Sequence, residues 1–168
     1  VVNYFRMSAD GRLIFGGGGV ILSKASEELT ALAHMLRIPV TTSLMGLGAF
    51  PGSDPLWLGM LGMHGTYRAN MAISNCDLLI AVGVRFDDRV TGKTDMFAAQ
   101  AKIVHIDIDP TTIRKNIPVA VPVVGDCKKS LTELNRMVVE EKLEQALPPR
   151  DEWIDQVTRW RNEYKLAY

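Results

Sequence analysis

The sequence has few cysteines and no cluster of charge of one sign. Among its 168 residues are two cysteines, Cys76 and Cys127, which lie far apart and form no C-x-x-C pair. Neither a zinc site nor a redox pair is therefore predicted, and we expect two reduced thiols in an intracellular protein. The 19 basic residues balance the 19 acidic ones and form no basic run, so no nucleic-acid partner is expected.

Long apolar runs are also missing. No stretch approaches the roughly 20 apolar residues of a membrane-spanning helix, and the first residues lack the basic, apolar and small-residue order of a secretory signal. We therefore expect a soluble, cytoplasmic protein without a membrane partner. The apolar fraction of 47% is ordinary for one globular domain.

Short apolar segments alternate with helical patterns along the chain. Strands are predicted at residues 12–15, 40–42, 78–82, 102–109 and 119–124, with Pro122 indicating a sheet edge. Helices are predicted from Ser26, from Thr66 as a cap, over 130–139, over 153–160 and, for one short turn, over 97–101. Residues 1–11 are predicted to be irregular. This alternation predicts an α/β fold with a doubly wound parallel sheet.

The segment Ala81–Lys93 is the focus of the sequence. The apolar run 78–82 is typical of a strand buried on both faces, and it stops at Gly83 in a cluster of four charges, Arg85, Asp87, Asp88 and Arg89. Ligands of open α/β sheets lie outside the carboxyl ends of the strands. The loop after this strand is therefore the predicted ligand site.

Arg85 is the strongest cation of that loop. Its guanidinium can bind the pyrophosphate of a dinucleotide through charge-assisted hydrogen bonds. The alternative is a surface ion pair of Arg85 with Asp87 or Asp88, which would contribute about 0–1 kcal/mol and leave ligand affinity unchanged.

Three glycine-rich stretches predict close backbone approaches. Gly16–Gly19 lacks the last glycine of G-x-G-x-x-G, so a phosphate loop and a plain strand-to-helix turn are equally good interpretations. The apolar loop 43–52 must pack against a bulky ligand or a protein surface. In 58–65, glycines three apart alternate with Met and Leu, which suits either a flat ring such as an isoalloxazine or the packing of loop on loop.

The histidines and the strand-end acids have ordinary explanations beside functional ones. His105 alternates with apolar positions and is predicted to be a structural strand residue, whereas His34 is predicted to be a solvated helix residue. Asp107 and Asp109 end a predicted strand, where an acid accepts a bond from a ribose hydroxyl or caps a helix.

Four motifs in order resemble one family. They are 45–52, 58–70 (LGMLGMHGTYRAN), 83–93 (GVRFDDRVTGK) and 105–109. The sequence from about residue 15 to 168 is similar to the central domain of the catalytic subunit of acetohydroxyacid synthase, also called acetolactate synthase.

The resemblance implies a fold, cofactors and partners. The fold would be a six-stranded parallel sheet related to sirtuin-type nucleotide-binding domains, with residues 1–147 as the FAD-binding domain and 148–168 as a helical linker to a further domain. Thiamine diphosphate and magnesium would be held by other domains of the parent enzyme, which would form a homodimer or tetramer, with or without a regulatory small subunit. No catalytic residue or metal ligand is expected in this chain.

The resemblance also assigns site residues. Those expected at the flavin nucleotide are Gly17, Gly18, Gly19, Ser43, Leu44, Leu61, Gly62, Met63, His64, Gly83, Val84, Arg85, Phe86, Asp87, Asp107, Ile108, Asp126 and Cys127. Asp88 and Arg89 are expected to line a substrate channel. Two alternatives remain: a regulatory module of the same fold that binds ADP or a dinucleotide, and an assembly domain whose glycine-methionine loops form interfaces.

Overall fold

The computed structural model describes residues 11–147 and 149–164 of the chain. In this part six strands form one parallel sheet in the order β3-β2-β1-β4-β5-β6. The strands are β1 (Arg12–Gly16), β2 (Val40–Thr42), β3 (Trp57–Met60), β4 (Leu78–Val82), β5 (Lys102–Asp107) and β6 (Val121–Val124). The helices are α1 (Gly18–Leu22), α2 (Ser26–Met35), α3 (Tyr67–Asn75), α4 (Asp88–Thr91), α5 (Cys127–Glu140), α6 (Leu143–Ala146) and α7 (Asp151–Glu163).

The central strand β4 is buried on both faces, as its uninterrupted apolar run predicts. It pairs with β1 on one side and with β5 on the other, and all five of its side chains are buried. Alternate residues enter two cores: Leu79 and Ala81 pack on one face of the sheet, and Ile80 and Val82 on the opposite face. The strand period of two thus divides one apolar run between two hydrophobic layers.

Helices cover both faces of the sheet. The buried residues of α2 and α5 join one core, and those of α3 and α7 join the other. Both predicted helices turn an apolar stripe to the sheet: Leu29 and Leu32 on α2, and Val157 and Trp160 on α7, are buried. Thr66 caps α3 as predicted, because its side chain accepts a bond from the Ala69 amide. The doubly wound α/β class is confirmed.

The residue pattern alone does not predict the sixth strand, β3. β3 lies inside the stretch that we interpreted as a glycine loop, because its four residues contain Gly59 at φ +95° and no β-branched side chain. Its pairing with β2 holds it in place, with Val40 opposite Trp57 and Thr42 opposite Met60. β3 and β6 form the two edges of the sheet, so the edge position of Pro122 on β6 is confirmed.

One predicted helix is absent and the start of another was wrong. Residues 97–101 form turns instead of a helix, since Ala98 has φ +47° and the Phe97 ring is buried against Phe86. Helix α5 begins at Cys127, three residues before the predicted start, because Asp126 caps it by accepting a bond from the Lys129 amide.

The C-terminal helix α7 packs on the same domain. Trp153 Nε1 donates a hydrogen bond to the Arg12 carbonyl at 2.9 Å, and the Trp153 and Trp160 rings meet edge to face. The division of the chain at 147/148 stays a prediction. The predicted irregular lead-in falls, except for Gly11, on residues outside the described part of the chain, as do Pro148 and the last four residues.

Candidate functional site

The direction of strand order reverses between β1 and β4, and the loops after these strands meet there. β2 and β3 extend from one side of β1, whereas β4, β5 and β6 extend from the other. Such a switch point is where open α/β sheets bind ligands. Backbone bonds join the loops across it: Gly17 N donates to Val82 O at 2.9 Å, and Gly19 N donates to Gly83 O at 3.1 Å.

The glycines at the switch point allow one backbone to lie on another. A Cβ on Gly17 would lie 2.1 Å from the Gly83 oxygen, and a Cβ on Gly19 would lie 2.7 Å from Gly83 Cα. Gly83 itself has φ +60°. The contact between the two loops therefore requires these glycines, whichever of the two interpretations of Gly16–Gly19 holds. The predicted cofactor contacts of Gly17, Gly18 and Gly19 stay predictions.

Cys127 fills the space beneath this contact. Its Sγ lies 3.0 Å from the position of a Cβ on Gly83 and 3.3 Å from that on Gly19. Burial, and next the Asp107 carboxylate, raise the pKa of the Cys127 thiol to about 11. The thiol is therefore neutral at physiological pH and acts as a small apolar filler.

The strand-end acids have different roles in the structure. Asp126 caps α5, whereas the Asp107 carboxylate accepts a bond from the Asp109 amide at 2.9 Å and closes a turn. Gly125 N donates to Asp107 O at 2.9 Å, so these acids lie at adjacent strand ends. Ile108 follows β5 and is exposed.

The loop after β2 is tied to the first glycine loop. Ser43 N donates to Gly16 O at 3.0 Å, and a Cβ on Gly46 would lie 2.4 Å from the same oxygen. A short 3₁₀ helix, Leu44–Gly46, presents its apolar side chains to solvent, and the Met45 side chain is 75% exposed. The predicted need of this loop for a covering surface is consistent with that exposure.

The loop after β3 packs against the segment that follows β4. A Cβ on Gly62 would lie 2.6 Å from the Arg89 oxygen, and Met63 N donates to that oxygen at 3.0 Å. Leu61 is buried, whereas Met63 is 69% exposed. We call the exposed side chains that follow the neighbouring strands β2 and β3 the apolar rim; they are Leu44, Met45, Leu47 and Met63.

The loop after β4 alternates between core and solvent. Val84 and Phe86 are buried. Between them the Arg85 side chain is 70% exposed and forms an ion pair with Asp87 at 2.9 Å. The surface pair that we weighed against pyrophosphate binding is therefore present in the structure. Such a pair is weak, so a doubly charged ligand can replace Asp87.

The structure brings most of the predicted residues to one edge in two connected groups. The first group lies at or just after the carboxyl ends of β1, β2, β4, β5 and β6; its members are Gly17, Gly18, Gly19, Ser43, Leu44, Gly83, Asp107, Asp126 and Cys127. Leu61, Gly62, Met63, His64, Asp88 and Arg89 form the second group around the Met63–Arg89 bond. Two residues that fix the loop after β4, His105 and Asn116, had no predicted role here, since no spacing pattern links them to it.

The described residues contain no group of three or more His, Cys, Asp or Glu side chains that could hold a metal ion. Within the same residues, none of the helices is long and apolar enough to cross a membrane. Cys76 and Cys127 are both free and buried.

Comparison with known proteins places the chain in a family. Residues 7–134 match the family described as thiamine pyrophosphate enzyme, central domain. The chain is 47% identical over 156 residues to the acetolactate synthase large subunit of Haemophilus influenzae. The matched region covers 93% of this chain and 27% of that protein.

Two further relatives span a wide range of organisms. The probable acetolactate synthase large subunit of Methanocaldococcus jannaschii is 50% identical over 145 residues, covering 86% of this chain and 24% of that protein. The acetolactate synthase isozyme 3 large subunit of Escherichia coli is 42% identical over 156 residues, covering 93% and 27%. The chain thus spans about a quarter of the length of the curated relatives it matches. It belongs to the family of thiamine pyrophosphate enzyme central domains, and its relatives there are large subunits of acetolactate synthase.

Proposed function

We propose that this chain is the FAD-binding central domain of an acetolactate synthase large subunit. The parent enzyme would condense pyruvate with a second 2-oxoacid in branched-chain amino-acid biosynthesis, in the cytoplasm. Thiamine diphosphate and Mg²⁺ would be held by parts of the parent enzyme outside this chain. The partners would be those other domains, further copies of the large subunit in a homodimer or tetramer, and a regulatory small subunit.

The carboxyl edge of the sheet has the chemistry that FAD requires, and this observation carries the proposal. FAD supplies a flat tricyclic ring and a doubly charged pyrophosphate. The apolar rim offers exposed thioether and leucine side chains to such a ring. Arg85 offers an exposed guanidinium to the pyrophosphate from a loop at the switch point. Apolar and cationic groups thus lie along the same edge.

Burial decides how the individual residues would take part. The side chains of Leu61, Val84, Phe86 and Cys127 lie in the core, so any contact of these residues with FAD would come from their backbone. Asp107 and Asp126 each use one carboxylate oxygen within the fold. A carboxylate has a second oxygen, which suits the hydroxyls of the adenosine end.

Asp88 and Arg89 would contribute to access of the substrate rather than to binding of FAD. Both lie on the short helix α4 and are highly exposed, and their side chains are 3.9 Å apart. They are joined to the apolar rim through the bond between Met63 and Arg89. An arginine on this surface suits the carboxylate of a 2-oxoacid.

Ligand-dependent stabilisation tests the proposal. The purified full-length subunit that contains this chain is freed of flavin and heated with FAD, ADP or NAD at equal concentration. We expect FAD to raise the unfolding temperature most, because a ligand that binds only the folded state stabilises it. We also expect the protein that retains bound FAD to be yellow. An equal response to ADP would favour the regulatory nucleotide module, and no response to any of the three would favour an assembly domain.

A further inference from the structure

Three consecutive carbonyls in the loop after β4 are bound by side chains from elsewhere in the chain. His105 Nε2, on β5, donates to Val84 O at 2.8 Å. The amide nitrogen of Asn116 donates to Arg85 O at 3.1 Å and to Phe86 O at 3.0 Å. Asn116 lies 30 residues further along the chain than Phe86, in the segment between β5 and β6.

Asn116 binds the two peptide groups that flank a strained residue. Phe86 has φ +52°, a conformation that bulky side chains rarely adopt. Its ring is buried and packs against Phe15, Phe97 and His105, with centroids 6.0, 5.8 and 4.9 Å away. Strain of this kind persists only where the surroundings determine the conformation, and it concentrates at functional sites.

The turn at Phe86 determines where Arg85 lies. With Val84 and Phe86 in the core, Arg85 must point to solvent. If Phe86 relaxed to an ordinary φ, the peptide that links it to Arg85 would rotate and the guanidinium would move. An arginine whose backbone is fixed loses less conformational freedom when it binds an anion.

We infer that Asn116 is a positioning residue, which holds the Phe86 turn so that Arg85 is directed at the anionic pyrophosphate of the dinucleotide. This inference rests on the proposed function, because it takes Arg85 as the pyrophosphate ligand. Asn116 acts through Arg85 and not on the ligand itself.

A double-mutant cycle on the full-length subunit tests the inference. The dissociation constant of FAD is measured by flavin fluorescence for the unmodified protein, Asn116→Ala, Arg85→Ala and the double variant. Asn135→Ala is the matched control, because Asn135 also joins two elements by an amide-to-carbonyl bond, to Glu28 O at 2.9 Å, but on the side of the sheet covered by α2 and α5.

We expect Arg85→Ala to raise the dissociation constant of FAD about tenfold and Asn116→Ala to raise it about threefold or more. The double variant should bind no more weakly than Arg85→Ala alone, since Asn116 then has no arginine to direct. Asn135→Ala should leave FAD affinity unchanged. If Asn116→Ala does not fold, Asn116→Asp replaces it in the cycle, because it keeps the volume and places an acceptor against the two carbonyls. Asn116→Asp should weaken FAD binding by more than the roughly threefold expected for Asn116→Ala.

The outcomes separate the inference from the proposed function. Unchanged FAD affinity in Asn116→Ala, or an equal loss in the presence and absence of Arg85, would overturn the positioning role alone. Unchanged affinity in Arg85→Ala would overturn the assignment of Arg85 and the inference with it. Absence of FAD binding in the unmodified subunit would overturn the proposed function itself.

Discussion

Two adjacent glycines make the contact at the switch point directly testable. Neither Gly16 nor Gly17 has a positive φ, so the backbone of both suits alanine. A Cβ on Gly16 would make ordinary contacts, the nearest at 3.6 Å to Leu29 Cδ1. A Cβ on Gly17 would lie 2.1 Å from the Gly83 oxygen and 2.6 Å from Val84 Cγ1. Only Gly17→Ala must therefore push two loops apart.

The expected magnitudes differ clearly. Either substitution should gain about 0.4–1 kcal/mol by reducing the entropy of the unfolded chain. Gly17→Ala should in addition lose about 1–3 kcal/mol through overpacking and about 0.5–1.5 kcal/mol for each of the bonds Gly17 N to Val82 O and Gly19 N to Gly83 O that the displacement breaks. The net loss is about 1–5.6 kcal/mol for Gly17→Ala, whereas Gly16→Ala keeps the gain of about 0.4–1 kcal/mol.

Urea denaturation at low protein concentration, followed by tryptophan fluorescence, measures both free energies of unfolding. A free energy of unfolding for Gly17→Ala that is not lower than that for Gly16→Ala would refute the close contact of the two loops. The two substitutions are adjacent in sequence and share the same chemical change and unfolded-state effect, so the difference between them reports on what each Cβ meets.

Three further predictions concern the chain as a whole and one buried histidine. The isolated chain should form no acetolactate from pyruvate with thiamine diphosphate and magnesium added; product formation would contradict the assignment of catalysis to other domains. The isolated chain should also self-associate and bind an apolar dye, because the apolar rim is uncovered, and the Met45→Ser variant should self-associate less and bind less dye. A strictly monomeric chain that binds no dye would contradict this prediction. Burial lowers the pKa of His105, so below about pH 6.5 the unfolded chain binds a proton more readily than the folded chain does. The free energy of unfolding therefore decreases as the pH is lowered, by at most about 1.4 kcal/mol per pH unit. His105→Gln should reduce this slope, and equal slopes in urea titrations would disprove the effect.

The sequence predicts the centre of the fold better than its edges. β4 is an uninterrupted apolar run, and β1 carries three apolar residues between Arg12 and Gly16; short apolar segments buried on both faces are typical of the central strands of a parallel sheet. β3 escaped notice because pairing with β2, and not local propensity, makes Trp57–Met60 a strand. The pattern of residues 97–101 predicts a helix, but the buried contact of the Phe97 ring with Phe86 and the positive φ of Ala98 give turns instead.

The candidate site shows the same division. The charged loop after β4 is visible in the sequence because an apolar run ends abruptly in Gly83. The Arg85–Asp87 pair was foreseen as one of two possibilities. Asn116 could not be found, because its role depends on two hydrogen bonds to a loop about 30 residues away. Such partners are determined by tertiary structure, and local patterns carry no trace of them.

The affinity of the full-length subunit for FAD after Arg85→Ala tests the central claim most directly. The matched control is Arg136→Ala, because Arg136 is also exposed and ion-paired, with Glu133 and Glu140, but lies on α5 away from the switch point. Arg85→Ala removes one surface ion pair and Arg136→Ala removes two, and exposed pairs of this kind contribute little to stability. A charge-assisted contact with a pyrophosphate contributes about 1.5–3 kcal/mol, so we predict that Arg85→Ala weakens FAD about tenfold or more and Arg136→Ala does not. Equal FAD affinity in Arg85→Ala and the unmodified subunit, with the fold intact, would contradict the placement of the pyrophosphate at this edge.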